Sequence, residues 1–347
     1  MRKLWTIFVS TIHERIGWNK IGFIASFAVL CLAGFTLYRM LRHVEPARVL
    51  EAIANVPAST IVTAAVFVAG AYFTLTFYDF FSLRTIGAKH VPYRIAALGA
   101  FASYAIGHNL GATVFTGGAI RFRIYSAWGL NLLDVAKIAF VTGLTFWLGN
   151  AFVLGLGMAF APDAATAIDH LPPWINRLIG IGGLLVICGY LVWLLGGKRE
   201  IGVKGVSLVL PNARLTFVQI LIGVFDLGLA AIGMYMLLPA APPIDFAHFV
   251  VVFVLATLLG FLSHTPGGLG VFDAAILIAL TQYPTAELLA TLLIFRVIYY
   301  IVPFALALIV MIGREFSMAS RRPAVKLAVS AQSAKTAPLS ERPLRDH

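Results

Sequence analysis

Two glycine-rich stretches hold the residues best able to do chemistry. The first is Gly107-His108-Asn109-Leu110-Gly111, followed by Thr116-Gly117-Gly118-Ala119-Ile120-Arg121-Phe122-Arg123-Ile124-Tyr125. A glycine pair permits a tight backbone reversal and lets a ligand approach the chain closely. Amides freed at the start of the following helix point at an anion, and two arginines supply forked donors that suit a phosphodiester. Together these features describe a receptor for a phosphate headgroup, with His108, Asn109, Thr116, Gly117, Gly118, Arg121, Arg123 and Tyr125 as candidate ligand residues. The bland alternative is that both arginines snorkel to an interface and only fix orientation. The second stretch is His264-Thr265-Pro266-Gly267-Gly268-Leu269-Gly270-Val271-Phe272-Asp273. Pro266 is expected to end one half-helix, with Gly267, Gly268 and Gly270 turning the chain. Asp273 then falls in the first turn of the next helix, as a cap or as part of the site.

Four further ionisable residues, Asp79, Lys137, Asp226 and Arg296, lie in or close to long apolar runs. Intramembrane charges cost several kcal/mol unless paired or wet, which makes them functional candidates. Asp226 and Arg296 lie deepest and are expected to line a cavity or to pair with each other. Asp79 and Lys137, nearer the ends of their runs, could snorkel. The eight histidines form no HExxH or His-x-x-x-His pair, so no metal site is expected, and no cofactor is called for. His108 and His264 fall in the two glycine stretches, where hydrogen bonding to loose carbonyls is weighed above proton coupling. Cys31 and Cys188 each sit in an apolar run and read as small buried hydrophobes. No nucleophile elbow, phosphate-binding P-loop or kinase set appears.

The elements that must position these residues are set by a lipid solvent. Of 347 residues, 60% are hydrophobic and 12% charged, against about 25% charged in a soluble domain, and the mean hydropathy is +0.90. This excludes a soluble enzyme, a disordered chain and a nucleic-acid-binding module. The net charge of +11 resides in short loops and the two ends, where membrane topology accounts for it. About 20 apolar residues cross the hydrocarbon layer as a helix. That criterion gives spans at 21–40, 60–83, 135–160, 175–196, 215–238 and 286–312, while 92–116 and 246–282 are interrupted by the glycine stretches. Letting those two enter and leave on the same face puts most Lys and Arg on the inner side, Lys198 and Arg199 included; Arg39, Arg42 and Arg48 remain outside.

The expected fold is therefore an all-α integral membrane bundle of six full crossings plus two re-entrant hairpins, with both termini cytoplasmic. Residues 1–20 form an N-terminal cytoplasmic segment that is retained rather than cleaved. Residues 21–315 form the membrane domain, and 316–347 a basic disordered tail near the inner leaflet. The halves, about 21–160 and 175–312, have opposite topology. Asp79 precedes Gly117 by 38 residues and Asp226 precedes Gly267 by 41. Opposed halves with corresponding interrupted elements are the sequence pointer to an inverted repeat with a midplane transport site; two unrelated halves are the alternative.

The runs Asn109…Thr116-Gly117-Gly118-Ala119-Ile120-Arg121-Phe122-Arg123-Ile124-Tyr125…Trp128-Gly129-Leu130 and Pro266-Gly267-Gly268-Leu269-Gly270-Val271-Phe272-Asp273, with Arg296…Tyr299…Pro303, resemble one family over roughly residues 20–315. It is the lysylphosphatidylglycerol synthase transmembrane region, the flippase-type membrane domain of multiple peptide resistance factor and its stand-alone relatives. Gly117, Gly118, Arg121, Arg123, Pro266, Gly267, Gly268, Gly270 and Arg296 match the family pattern, and Asp273 stands where the family more often has Glu. The resemblance implies a bacterial inner-membrane protein that moves aminoacylated phosphatidylglycerol, or another lipid, between leaflets. The soluble aminoacyl-transfer domain of the synthases does not follow, so lysyl transfer is not expected of this chain alone.

The leading expectation is a lipid translocator, not an enzyme, whose partners are membrane phospholipids with an anionic headgroup or aminoacylated phosphatidylglycerol. Its substrate-binding set is the residues above together with Asp226, Arg296 and Tyr299, and Arg121, Arg123 and Arg296 are expected to attract the phosphate. The alternatives are a membrane-embedded lipid-modifying transferase, with Asp79, Asp226 or His108 as base, and a membrane subunit serving a separate synthase. A homo-oligomer is compatible with each.

Overall fold

The structure, a computed structural model, describes residues 45–314 except 112, 198–199 and 204–205, and also Phe316. The expected span 21–40, the N-terminal segment and the tail beyond Phe316 lie outside the described residues, as do Lys198 and Arg199. The chain divides into two compact units, one ending at Phe304 and one beginning at Ala305; the second is helical to Arg314.

The described residues are almost wholly helical. In chain order they form α1 (Pro46–Asn55), α2 (Ala58–Thr85), α3 (Tyr93–Leu110), α4 (Thr113–Tyr125), α5 (Leu132–Phe160), α6 (Asp163–Asp169), α7 (Pro173–Leu195), α8 (Ala213–Tyr235), α9 (Phe246–Leu262), α10 (Val271–Ala279) and α11 (Thr285–Arg296). A short antiparallel hairpin, β1 (Glu200–Val203) and β2 (Val206–Val209), joins α7 to α8 with Glu200 opposite Val209. Among the described residues, five helical runs are long and apolar enough to cross a membrane: α2, α5, α7, α8 and the run Thr285–Arg314. They coincide with five of the six expected spans because an apolar stretch in lipid has no other way to satisfy its amides than a helix. Side-chain caps fix several starts. Asn131 accepts from the Asp134 amide at 3.0 Å, and Asn212 accepts from the Leu215 amide at 2.8 Å.

Within the first unit, α2 packs along α3 and α8, α5 packs along α7 and α8, and α3 folds back on α4. Small residues bring these backbones together, as lipid-embedded packing requires. A methyl group on Gly149 of α5 would lie 2.7 Å from Cα of Gly223 on α8, and one on Gly180 of α7 would lie 2.7 Å from the Gly155 carbonyl. Gly223→Leu is therefore expected to part α5 from α8 and cost about 1–3 kcal/mol, read as a lower unfolding midpoint in detergent. Gly143→Leu, with open space at its Cβ, should leave the midpoint nearly unchanged.

Both interrupted stretches are broken, the first at only one of the positions expected, Gly111. Helix α3 runs unbroken through Gly107-His108-Asn109, and α4 runs unbroken through Thr116-Gly117-Gly118. The reversal lies at Gly111, whose φ of 72° favours glycine. The Gly117-Gly118 pair is thus not a turn and does not open a helix. Gly117 serves close packing instead, since a Cβ there would stand 3.3 Å from the Ser103 carbonyl on α3. The second break behaves as the sequence suggests. Helix α9 ends at Leu262, Pro266–Gly268 makes a single 3-10 turn, and Gly267, Gly268 and Gly270 all have positive φ before α10 begins.

Candidate functional site

The two breaks meet. A Cβ on Gly111 would lie 3.2 Å from the His264 carbonyl and 3.4 Å from the Pro266 nitrogen, so the reversal after α3 rests directly on the turn after α9. Between them opens a cavity of about 180 Å³. The first break contributes His108, Gly111, Val114 and Phe115; the second contributes His264, Thr265, Gly267 and Gly268. Its walls are largely aromatic, with Tyr104, Phe253, Phe272, Phe295, Tyr299 and Tyr300 among them.

Two guanidinium clamps flank this cavity. Nε of Arg121 donates to both oxygens of Asp79 (3.1 and 2.9 Å) and Nη2 donates to Oδ1 at 2.8 Å. Tyr125 adds its hydroxyl to Asp79 Oδ2 at 2.6 Å, and the Arg121 guanidinium lies 5.1 Å from the Tyr104 ring centre. Asp79 is fully buried and Arg121 nearly so. This pair ties α4 to α2. In the second clamp, Arg296 donates to both oxygens of Asp273 (3.1 and 2.6 Å) and, through Nη1, to the Gly267 carbonyl at 3.1 Å. Asp273 also accepts from the Gly270 amide at 2.9 Å, which caps α10. One arginine thereby fixes both the turn and the helix that follows it.

Asp226 has no such partner. It lies on α8, is 6% exposed and lines the cavity. Tyr78 donates to its Oδ2 at 3.1 Å, while Oδ1 has no hydrogen-bond partner. Tyr72 donates to the Tyr299 carbonyl at 3.0 Å, and Asn109 donates to the Ala105 and Tyr300 carbonyls at 2.8 and 3.0 Å. These bonds hold the segment after α11 against α2 and α3.

No family model matches the chain. An uncharacterized protein of Synechocystis sp. is 33% identical over 68% of the chain and 73% of its own length. The inner membrane protein YbhN of Escherichia coli is 30% identical over 67% of the chain and 73% of its length. The phosphatidylglycerol lysyltransferase of Staphylococcus xylosus is 25% identical over 84% of the chain, which spans 33% of that enzyme. The chain belongs to the lysylphosphatidylglycerol synthase transmembrane region family. It is a membrane protein related to YbhN, and its match to the Staphylococcus xylosus lysyltransferase covers most of the chain but a third of that enzyme.

In this member of the family the expected residues divide into three groups. His108, Gly267, Gly268, Asp226 and Tyr299 line the cavity. Arg121, Tyr125, Asp273, Arg296 and Asn109 form the frame around it, as does Thr116, which donates to the Gly111 carbonyl at 3.2 Å. Arg123 is exposed on α4, Gly118 has open space at its Cβ, and Pro266 and Gly270 shape the second turn. Three expectations are corrected. Arg296 pairs with Asp273 and not with Asp226. Asp79 does not snorkel but is the buried anchor of Arg121. The guanidiniums of Arg121 and Arg296 are each paired with a carboxylate, where an arginine unpaired for a phosphate was expected. His264 does bond a loose carbonyl, that of Leu262 at 2.8 Å. Sequence reasoning passed over Tyr78 and Tyr104. Their signal was modest: Tyr78 adjoins Asp79, and Tyr104 falls one helical turn before His108, against which its ring packs edge-on at 5.5 Å.

Proposed function

We propose that the protein moves a lipid between the leaflets of the bacterial inner membrane, receiving the headgroup in the cavity where the two broken elements meet. One observation carries this reading: two helix breaks abut at a hollow that is apolar along most of its wall and holds one unpaired carboxylate. A hollow of that kind lets a polar headgroup leave water while acyl chains stay in lipid, across the exposed apolar lip of Leu110, Val114, Phe115, Leu262 and Leu269. In this reading the breaks are the turns of two re-entrant hairpins entering from opposite leaflets. The halves form an inverted repeat that rocks about the cavity, with six full crossings and both termini cytoplasmic. The substrate is a membrane phospholipid, anionic or aminoacylated, and a separate synthase or a second copy is a compatible partner. The frame residues act by holding the hollow open, while His108, Asp226 and Tyr299 face the headgroup.

The test is lipid flux in vesicles. Thr257 lines the cavity from α9, and Thr257→Trp fills it. Wild-type protein should equilibrate fluorophore-labelled phosphatidylglycerol between leaflets, and Thr257→Trp should fall to the rate of empty vesicles with its unfolding midpoint kept. Equal rates for wild type and Thr257→Trp would rule out the cavity as the route.

The lipid-modifying transferase has less support. Among the described residues no group of three or more His, Cys, Asp or Glu side chains is placed to hold a metal, and the one unpaired carboxylate has a tyrosine as its neighbour rather than a second acid.

A further inference from the structure

We propose that Asp226 is a proton-binding site that couples lipid movement to the transmembrane proton gradient. It exchanges its proton through the cavity that it lines. The proposal rests on the translocation reading and adds its energy source.

Charge compensation makes the case. A carboxylate buried in a membrane protein is costly unless a cation balances it. The two arginines flanking the cavity are already spent, Arg121 on Asp79 and Arg296 on Asp273. No Lys or Arg lines the cavity among the described residues. Asp79 is therefore permanently neutralised, whereas Asp226 is left to a mobile cation. A metal ion would need several oxygen or nitrogen ligands, whereas Tyr78 turns its proton, not its lone pair, toward Asp226. A proton needs only the vacant lone pair of Oδ1.

The step is a simple protonation. The carboxylate takes a proton from water on Oδ1 and becomes a neutral carboxyl, with Oδ2 still accepting from Tyr78; it returns the proton to water when the cavity faces the other side. The other titratable groups around it are Tyr72 and Tyr78 of α2, Tyr104 and His108 of α3, His264 after α9, and Tyr299 and Tyr300 after α11. The remaining charges are the two closed pairs. Helices α5, α7 and α9 bring no ionisable side chain of their described residues to the cavity wall.

The full chain, reconstituted in phosphatidylethanolamine–phosphatidylglycerol vesicles with labelled phosphatidylglycerol, tests this under a pH gradient of either sense. With one proton per anionic lipid, each pH unit supports up to about a tenfold leaflet ratio. Wild type should build that ratio, invert it when the gradient is inverted, and lose it to a protonophore; Asp226→Asn should build none. Flux that stays at a ratio of one under both gradients, or accumulation by Asp226→Asn equal to wild type, overturns the coupling and leaves lipid movement standing. Infrared difference spectra judge the site even if no lipid moves. A carboxyl band that titrates in wild type and vanishes in Asp226→Asn supports it, and no such band overturns it.

Discussion

Arg121→Leu is expected to lower the stability of the bundle by about 3–5 kcal/mol, because it strands the Asp79 carboxylate in the interior. Asp79 is entirely buried and takes three bonds from Arg121. The Tyr125 hydroxyl is the one donor left to it, and a single neutral donor does not replace a cation. The cost measures the stranded charge rather than the net worth of the pair. Removing both partners in Asp79→Leu/Arg121→Leu should therefore recover most of the loss, since apolar replacement of a buried pair is often neutral. Reversible unfolding in mixed micelles checks this through the double-mutant cycle. A double variant as unstable as the sum of its singles would mean that the two residues do not act as a pair.

Arg296→Ala should act more locally and almost as strongly. Arg296 serves three acceptors, both oxygens of Asp273 and the Gly267 carbonyl, and charge-assisted bonds of this sort are each worth about 1.5–3 kcal/mol. Both partners are slightly exposed, so solvent softens the penalty compared with Asp79. Losing the arginine frees the turn at Gly267 and Gly268 and removes the brace on α10. Hydrogen exchange should speed up at the amides of Gly268 and Gly270 before the body of α9 is affected, with lipid flux falling alongside. Arg296→Lys should restore little, because a point charge cannot span the two faces of this fork. Unchanged exchange at those amides in Arg296→Ala would show that the clamp does not hold the turn.

Much of this architecture was legible in the chain. Five spans emerge within a few residues of their helical bounds because length and hydropathy alone dictate a helix in lipid. The second break was readable in Pro266-Gly267-Gly268, where proline and paired glycines leave no regular alternative. The first was readable at Gly111, but a further break was expected at Gly117-Gly118, because a glycine pair looks the same whether it turns the chain or admits a neighbouring helix; Gly117 does the latter against Ser103. The charge pairs were the harder matter. Arg121 finds Asp79 across 42 positions and Arg296 finds Asp273 across 23, so tertiary packing decides which arginine is spent and which carboxylate is left over. Sequence located Asp226 but could not show that, of the three buried carboxylates among the described residues, it is the one without an arginine.

Adjacent positions on α8 give the most direct test of the hollow between the breaks. Ala230 lines the cavity and Ala231 does not, although both are buried. With Cys31 and Cys188 replaced by serine, Ala230→Cys should react with a small charged thiosulfonate reagent, and short-chain phosphatidylglycerol should slow that reaction. Ala231→Cys should stay inert. Equal inertness at both positions, or labelling of Ala230→Cys that added lipid leaves untouched, would contradict a wet cavity that receives a headgroup.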